Sequence, residues 1–185
     1  MPGTQVTIRP ADPADVAAIE AVDPVASHDD DRRRFIAERV AAGQTLVAVV
    51  DDALDGDAIV GYLVMDHGFF GRGFVAMLCV HPERRRRGIG QALMRHAEVA
   101  CRTPRIFTST NRSNLPMQRL LAGLGYRRSG MVDDLDPGDP ELVYSRGLGE
   151  ARLVAEGAKL DPIEEEALAE EGSAAAEEAW IEGEV

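Results

Sequence analysis

The sequence predicts an α/β (α+β) fold, a single central sheet flanked by helices, and three observations carry that reading. Residues 74–80, Phe-Val-Ala-Met-Leu-Cys-Val, are apolar on both faces, as in a central strand covered on each side. An Arg- and Gly-rich turn follows, and an amphipathic helical pattern starts at Ile89. Strand-like and helix-like segments then alternate along most of the chain, with no internal repeat.

Taken in order, Val6 to Arg9 alternates as a short first strand. Asp12 suits an N-cap and Pro13 a first helical position, opening a helix that runs through Val22 and stops at Asp23-Pro24. Residues 31–42 read as a second helix with Phe35, Ile36 and Val40 inward. Thr45 to Val50 and Ile59 to Met65 read as strands paired across an Asp-rich turn. After the 74–80 strand, a helix over 88–102 turns Ile89, Leu93, Ala97 and Ala100 to the core and Gln91, Arg95, Glu98 and Arg102 to water. A strand at 105–109 and a helix at 115–123 follow. Two last strands, 126–132 and 141–146, are joined through Asp136-Pro137-Gly138-Asp139. Beyond Leu148 the chain is rich in Ala and Glu. Asp161, Pro162 and Glu164 form an N-terminal helix signature there, Gly172 a stop, and Ser173 the cap of a second piece ending near Trp180 and Ile181.

Composition narrows the function. A chain of 185 residues suffices for one ordinary domain with an appendage, here 1–148 and an acidic extension, 149–185. No stretch approaches the roughly 18–20 apolar residues that span a bilayer, and the start lacks a basic-then-apolar signal pattern. Cys79 and Cys101 fall in predicted core elements and read as reduced thiols, so a cytoplasmic location is expected. His28, His67, His81 and His96 lack metal-ligand spacing, so no metal site is expected. The net charge of −12 is uneven: residues 150–185 hold twelve acids against two bases, and residues 1–149 come to only −2. Such a chain is a poor non-specific binder of nucleic acid, and no membrane partner is expected either.

The turn between the 74–80 strand and the following helix holds the chemistry. It reads Arg85-x-x-Gly88-x-Gly90, within a run of arginines from Arg84 to Arg87. Glycines there let main chain approach a ligand closely, and the first helical turn offers free N–H groups with a dipole that favours an anion. Guanidinium groups add charge-assisted donors for phosphate oxygens. A P-loop is excluded because Gln91-Ala92 follows Gly90, and a dinucleotide fingerprint because Leu93 stands where a third glycine is needed. A solvated basic turn with two helix-entry glycines is the plain alternative.

Together these residues resemble the GNAT superfamily of acyl-CoA-dependent N-acetyltransferases. Its cofactor motif, Q/R-x-x-G-x-G/A at a strand-to-helix junction, is matched by Arg85, Gly88 and Gly90, after the lead-in Val80-His81-Pro82-Glu83. A second motif, an Asn followed eleven residues later by Gly and an aromatic, is matched by Asn114, Gly125 and Tyr126. The resemblance covers roughly residues 5–147. It implies a mixed, mostly antiparallel sheet of six to seven strands, with acetyl-CoA as co-substrate. The acceptor is an amine on a small molecule or a protein, and the last strands offer an edge for a homodimer.

The same resemblance implies site residues. The strand before the glycine loop splays from its neighbour, and Leu78 and Val80 then offer main-chain bonds to pantetheine. Arg85, Arg86, Arg87, Gly88, Ile89, Gly90 and Gln91 surround the diphosphate, and Asn114 binds the pantetheine arm. The family often has a Tyr seven residues after the Asn; here that position is Leu121, leaving Tyr144 or Ser113 as candidate acids. The family's frequent Glu on the 74–80 strand is also missing, so Asp66 and His67 are the candidate bases. The acidic groups Asp29 to Asp31 and Asp133 to Glu141 are candidates for attracting a cationic amine. These departures keep two alternatives open: a non-catalytic acyl-CoA sensor or scaffold, and an interaction protein acting through its acidic tail.

Overall fold

The computed structural model describes residues 6–52 and 56–149. The predicted tail helices around Asp161 and Ser173, with Trp180, lie outside the described residues. Seven strands form one sheet: β1 (Val6–Pro10), β2 (Thr45–Asp52), β3 (Gly56–Phe69), β4 (Arg72–Val80), β5 (Arg105–Asn111), β6 (Arg127–Val132) and β7 (Glu141–Gly147). Their spatial order is β1-β2-β3-β4-β5-β7-β6. Every neighbouring pair is antiparallel except β4 and β5, so the sheet is mixed and mostly antiparallel, as the resemblance implied.

Four helices cover the two faces: α1 (Val16–Val22), α2 (Asp30–Ala41), α3 (Ile89–Ala100) and α4 (Leu115–Gly123). Period-two alternation sends side chains of one strand to opposite faces. Val47, Val49, Tyr62 and Val64 therefore pack with Ile19 of α1 and with Ile36 and Val40 of α2. Ala48, Val50, Leu63, Val75 and Ile106 pack with Leu93, Met94 and Ala97 of α3 and Leu121 of α4. Burying each large aliphatic side chain contributes about 2 kcal/mol.

Two features of β3 and β4 differ from expectation. The chain reverses at Phe70-Gly71, and β3 runs to Phe69, four residues beyond Met65, where the strand was expected to end. Both turn residues have positive φ (50° and 68°), the geometry that matches the twist of a tight hairpin. Asp66 and His67 consequently lie inside β3, and Phe69 beside the turn stacks on Phe74 with ring centroids 4.9 Å apart. The second feature is a bulge in β4. Register steps from Val64↔Met77 to Met65↔Val75, so Ala76 has no partner on β3.

Along α3 the buried stripe is Ile89, Leu93, Met94, Ala97 and Glu98. Ala100 is exposed, contrary to the sequence pattern, because buried Cys101, one residue and about 100° further round, takes the inward place. Glu98, expected in water, is only 8% exposed. The cause is Arg146 of β7, whose Nη1 donates to Glu98 Oε1 at 2.6 Å, while Arg95 Nη1 donates to Oε2 at 3.3 Å. The Tyr126 phenol lies against the same carboxylate, and burial first, then that charge, pushes its pKa up. Glu98→Ala leaves a half-buried arginine without its acceptor, and is expected to cost about 2 kcal/mol in urea unfolding, with Glu98→Gln costing less.

Candidate functional site

The site begins with the bulge at Ala76. β4 pairs with β5 only through Gly73↔Ile106, Phe74↔Phe107 and Val75↔Thr108. Past Val75 the two strands part, while β5 goes on pairing with β7 as far as Asn111↔Glu141. One edge of β4 from Ala76 to Val80 is therefore without a strand partner. The direction of its peptide groups follows from one hydrogen bond. His81 N–H donates to Val60 C=O at 2.9 Å, so alternation turns Cys79 and Met77 toward β3 and turns Leu78 and Val80 toward the vacated side.

The loop after β4 leads into α3 through two left-handed residues. Arg86 has φ 62° and Gly88, the N-cap of α3, has φ 79°. Gly88 has no side chain to cap the helix, and the N–H groups from Arg86 to Gln91 bond to no acceptor among the described residues. By contrast Asp29 caps α2 and Asn114 caps α4, each through a side-chain oxygen. Gly90 has no positive φ, so conformational freedom is not what it supplies. A Cβ added there would meet Leu120 Cδ2 at 3.5 Å, and Leu78 Cδ2 and Val80 Cγ2 at 3.8 Å. Gly90 thus faces the space between the open β4 edge and α4.

Leu78 and Val80, Gly90 at the start of α3 and Leu120 of α4 are in this way brought together, with Asn114 at the N-terminal end of the same helix as Leu120. Arg85 folds back, its Nε donating to the Val80 carbonyl at 3.2 Å. Asn114 spends its Oδ1 on the Met117 N–H at 3.2 Å, which leaves its NH₂ group as the available donor. Tyr144 is half-buried on β7 opposite Thr108, level with the last β4–β5 pair. Uncapped donors and an unpaired strand edge side by side would suit a long molecule with an anionic head.

The acetyltransferase (GNAT) family pattern matches residues 14–126. A GNAT-family acetyltransferase from Bacillus cereus ATCC 10987 is 31% identical, covering 77% of this chain and 97% of its own, with a TM-score of 0.69. The chain belongs to the GNAT family of acetyltransferases. The fold is shared with yncA, a putative acetyltransferase from Salmonella typhimurium solved with acetyl-CoA, at 21% identity, coverage of 78% and 95%, and TM-score 0.59. It is shared too with the ribosomal-protein-S18-alanine N-acetyltransferase of Escherichia coli, at 14% identity, coverage of 78% and 95%, and TM-score 0.62. No curated protein matches the sequence. Membership makes acetyl-CoA-dependent acyl transfer the general chemistry of this GNAT chain.

Asp66 and His67 are not drawn to the cleft. Asp66 pairs with Phe74, below the bulge, and its Oδ1 accepts the Gly68 N–H at 2.8 Å. His67 Nε2 accepts the backbone N–H of Arg102 at 3.2 Å, just past the C-terminal end of α3. The twelve residues of α3 put roughly 18 Å between that end and the glycine loop. Five of the acidic candidates are likewise engaged. Asp29 accepts the Arg32 N–H, Asp30 pairs with Arg33 and Asp31 with Arg34. Asp136 takes the Asn111 amide, and Asp139 takes the N–H and hydroxyl of Ser113.

Sequence reasoning missed a polar group on the α1/α2 face beside Met77 and Cys79. Tyr62, fully buried, donates its hydroxyl to Asp23 Oδ2 at 2.6 Å, and Asp23 is itself only 4% exposed. Burial, then the Asp23 hydrogen bond and charge, drives the Tyr62 pKa up. Cys79, beside them, is pushed up to about 11, mainly by burial and then by Asp23, so it stays a thiol at neutral pH. Asp23 stands 39 residues from Tyr62, and before Pro24 it reads as an ordinary helix stop, so no local signal joins the two.

Burial, reinforced by Arg102, holds the His67 pKa below its ordinary 6.5. The unfolded chain then binds more protons than the folded one as pH falls past 6.5, and stability is lost in that window. His67→Gln is expected to flatten the acid limb of a melting-temperature profile between about pH 6.5 and 5, with the pH profile of acetyl transfer unmoved. A shifted kinetic profile would return His67 to the list of bases.

Proposed function

We propose that this chain transfers the acetyl group of acetyl-CoA to a primary amine, on a small molecule or a protein, by direct attack in a ternary complex. The supporting observation is the meeting of an uncapped helix start with an unpaired strand edge in one cleft. Arg86 to Gln91 donate main-chain N–H groups to the diphosphate, with Arg85, Arg86 and Arg87 adding charge. Leu78 and Val80 hold the pantetheine arm as a neighbouring strand would, and the Asn114 NH₂ group donates to it. Acetyl-CoA supplies an activated acyl group on a good thiolate leaving group. An N–H on the β4 edge polarises the carbonyl as its oxygen gains charge. Alignment of the amine provides the larger share of the acceleration, with a ceiling of about 7–11 kcal/mol.

Tyr144 is the proton donor in this reading, since Leu121 is fully buried in the core and cannot serve. The ammonium of the acceptor sheds its proton to water, because Asp66 is engaged with the Gly68 N–H and His67 Nε2 with the Arg102 N–H. A sensor without turnover is favoured by one observation, the apolar Leu121. Tight acetyl-CoA binding with no thiol release across a broad amine panel would decide for it.

Gly90→Val tests the cradle. A single Cβ fits, 3.5 Å from Leu120 Cδ2 and 3.8 Å from Leu78 Cδ2 and Val80 Cγ2, as the Ala the motif allows would, whereas the two further methyls of Val crowd these neighbours. Acetyl-CoA affinity by calorimetry should fall at least roughly tenfold, while the melting temperature of the free protein changes modestly. Unchanged affinity would show that the coenzyme does not pass through this cleft.

A further inference from the structure

We propose that Arg32 sets acceptor specificity, selecting an aminocarboxylate whose carboxylate lies a few bonds from the reacting amine; this rests on the transferase reading above. Arg32 occupies the first turn of α2 and reaches across to β4. Its Nη1 lies 3.0 Å from Met77 Sδ, next to the Ala76 bulge where the strand edge opens. A thioether is a weak acceptor, and burial to 23% exposure is considerable for a guanidinium.

The other contacts of Arg32 leave its hydrogen-bonding fork unspent. Asp23 Oδ2 sits 3.7 Å from Nε, close enough for charge compensation but beyond hydrogen-bond reach. Asp23 is already engaged, since Oδ2 takes the Tyr62 hydroxyl and Oδ1 takes the Val25 N–H at 2.9 Å. Asp29 accepts the backbone N–H of Arg32, not its side chain. Among the described residues Nη2 meets no oxygen. The adjacent Arg33 and Arg34 are different: each is bonded to a carboxylate one turn away.

Those pairings offset the charge of Asp30 and Asp31, and Asp29, which accepts only a backbone N–H, is the acid left in the turn. Tyr62 and Cys79 face the same spot uncharged. A planar fork with two donors to spare, fixed by packing, matches a carboxylate bidentately. Anchoring the carboxylate there leaves the amine beside the opened edge of β4. A polyamine or an internal lysine has no such group to offer.

The test uses the full chain with acetyl-CoA and follows thiol release for natural α-amino acids against their C-terminal amides. The acids should be preferred by roughly ten- to a hundredfold in kcat/KM, chiefly through KM. Arg32→Ala should bring that preference close to one, with Arg32→Lys between, since ammonium keeps charge but not the fork. Equal or better use of amides by the wild type would overturn the assignment, as would an equal loss on acids and amides in Arg32→Ala. Absence of any amino-acid turnover would overturn it too. Should Arg32→Ala not fold, the wild-type preference and Arg32→Lys still decide. Calorimetry with acetyl-CoA separates the layers: no binding removes the transferase reading as well, whereas normal binding without acid preference removes Arg32 alone.

Discussion

One extra residue in β4 determines the rest of the site. A strand in the middle of a sheet normally spends its peptide groups on both neighbours, and buried groups left without a partner are costly. With Ala76 inserted opposite no residue of β3, β4 bends and its pairing with β5 ends at Val75↔Thr108. The peptide groups of Leu78 and Val80 then open onto a cleft where water, Arg85 or a ligand must satisfy them. A straight β4 would go on pairing with β5 and close this edge.

The other end of the cleft follows the same logic. Helix starts expose four N–H groups, and this protein caps α2 and α4 with side chains while leaving α3 bare. A side-chain cap at Gly88 would satisfy the helix and fill the place of an anion. Its positive φ lets the loop reach α3, and Arg86 accepts a left-handed conformation that costs an ordinary residue about 1 kcal/mol or more. Strain and uncapped donors in one loop are tolerable because the core on both sheet faces, with the Glu98–Arg146 pair, supplies stability elsewhere.

Much of this was legible in the sequence because it depends on local pattern. The doubly apolar 74–80 run, the amphipathic stripe from Ile89 and the N-cap Asp12 each report themselves within a few residues. What was not legible depends on partners distant in the chain. The bulge cannot be seen in Phe-Val-Ala-Met-Leu-Cys-Val, since it is a relation between β4 and β3. Glu98 reads as a solvent residue until Arg146 arrives from 48 positions away. Gly90 looks like a second conformational glycine, yet it lies within α3 with no positive φ, so conformation is not what it supplies. Asp66 and His67 were misplaced because Phe70-Gly71, a pair with no standard turn composition, makes the reversal.

The division of labour between backbone and side chain has a consequence for specificity. In the proposed reading main-chain groups hold the coenzyme, so most side-chain changes in the arginine loop alter charge without removing the donors. The opposite face, where Asp23, Tyr62 and Arg32 stand against Met77 and Cys79, is built of side chains alone. On the proposed reading, substitutions there change the chemistry offered to an acceptor and leave the glycine loop untouched. A fold arranged this way can change substrate without rebuilding its frame, with the acceptor recognised at the α1/α2 face and not at the glycine loop.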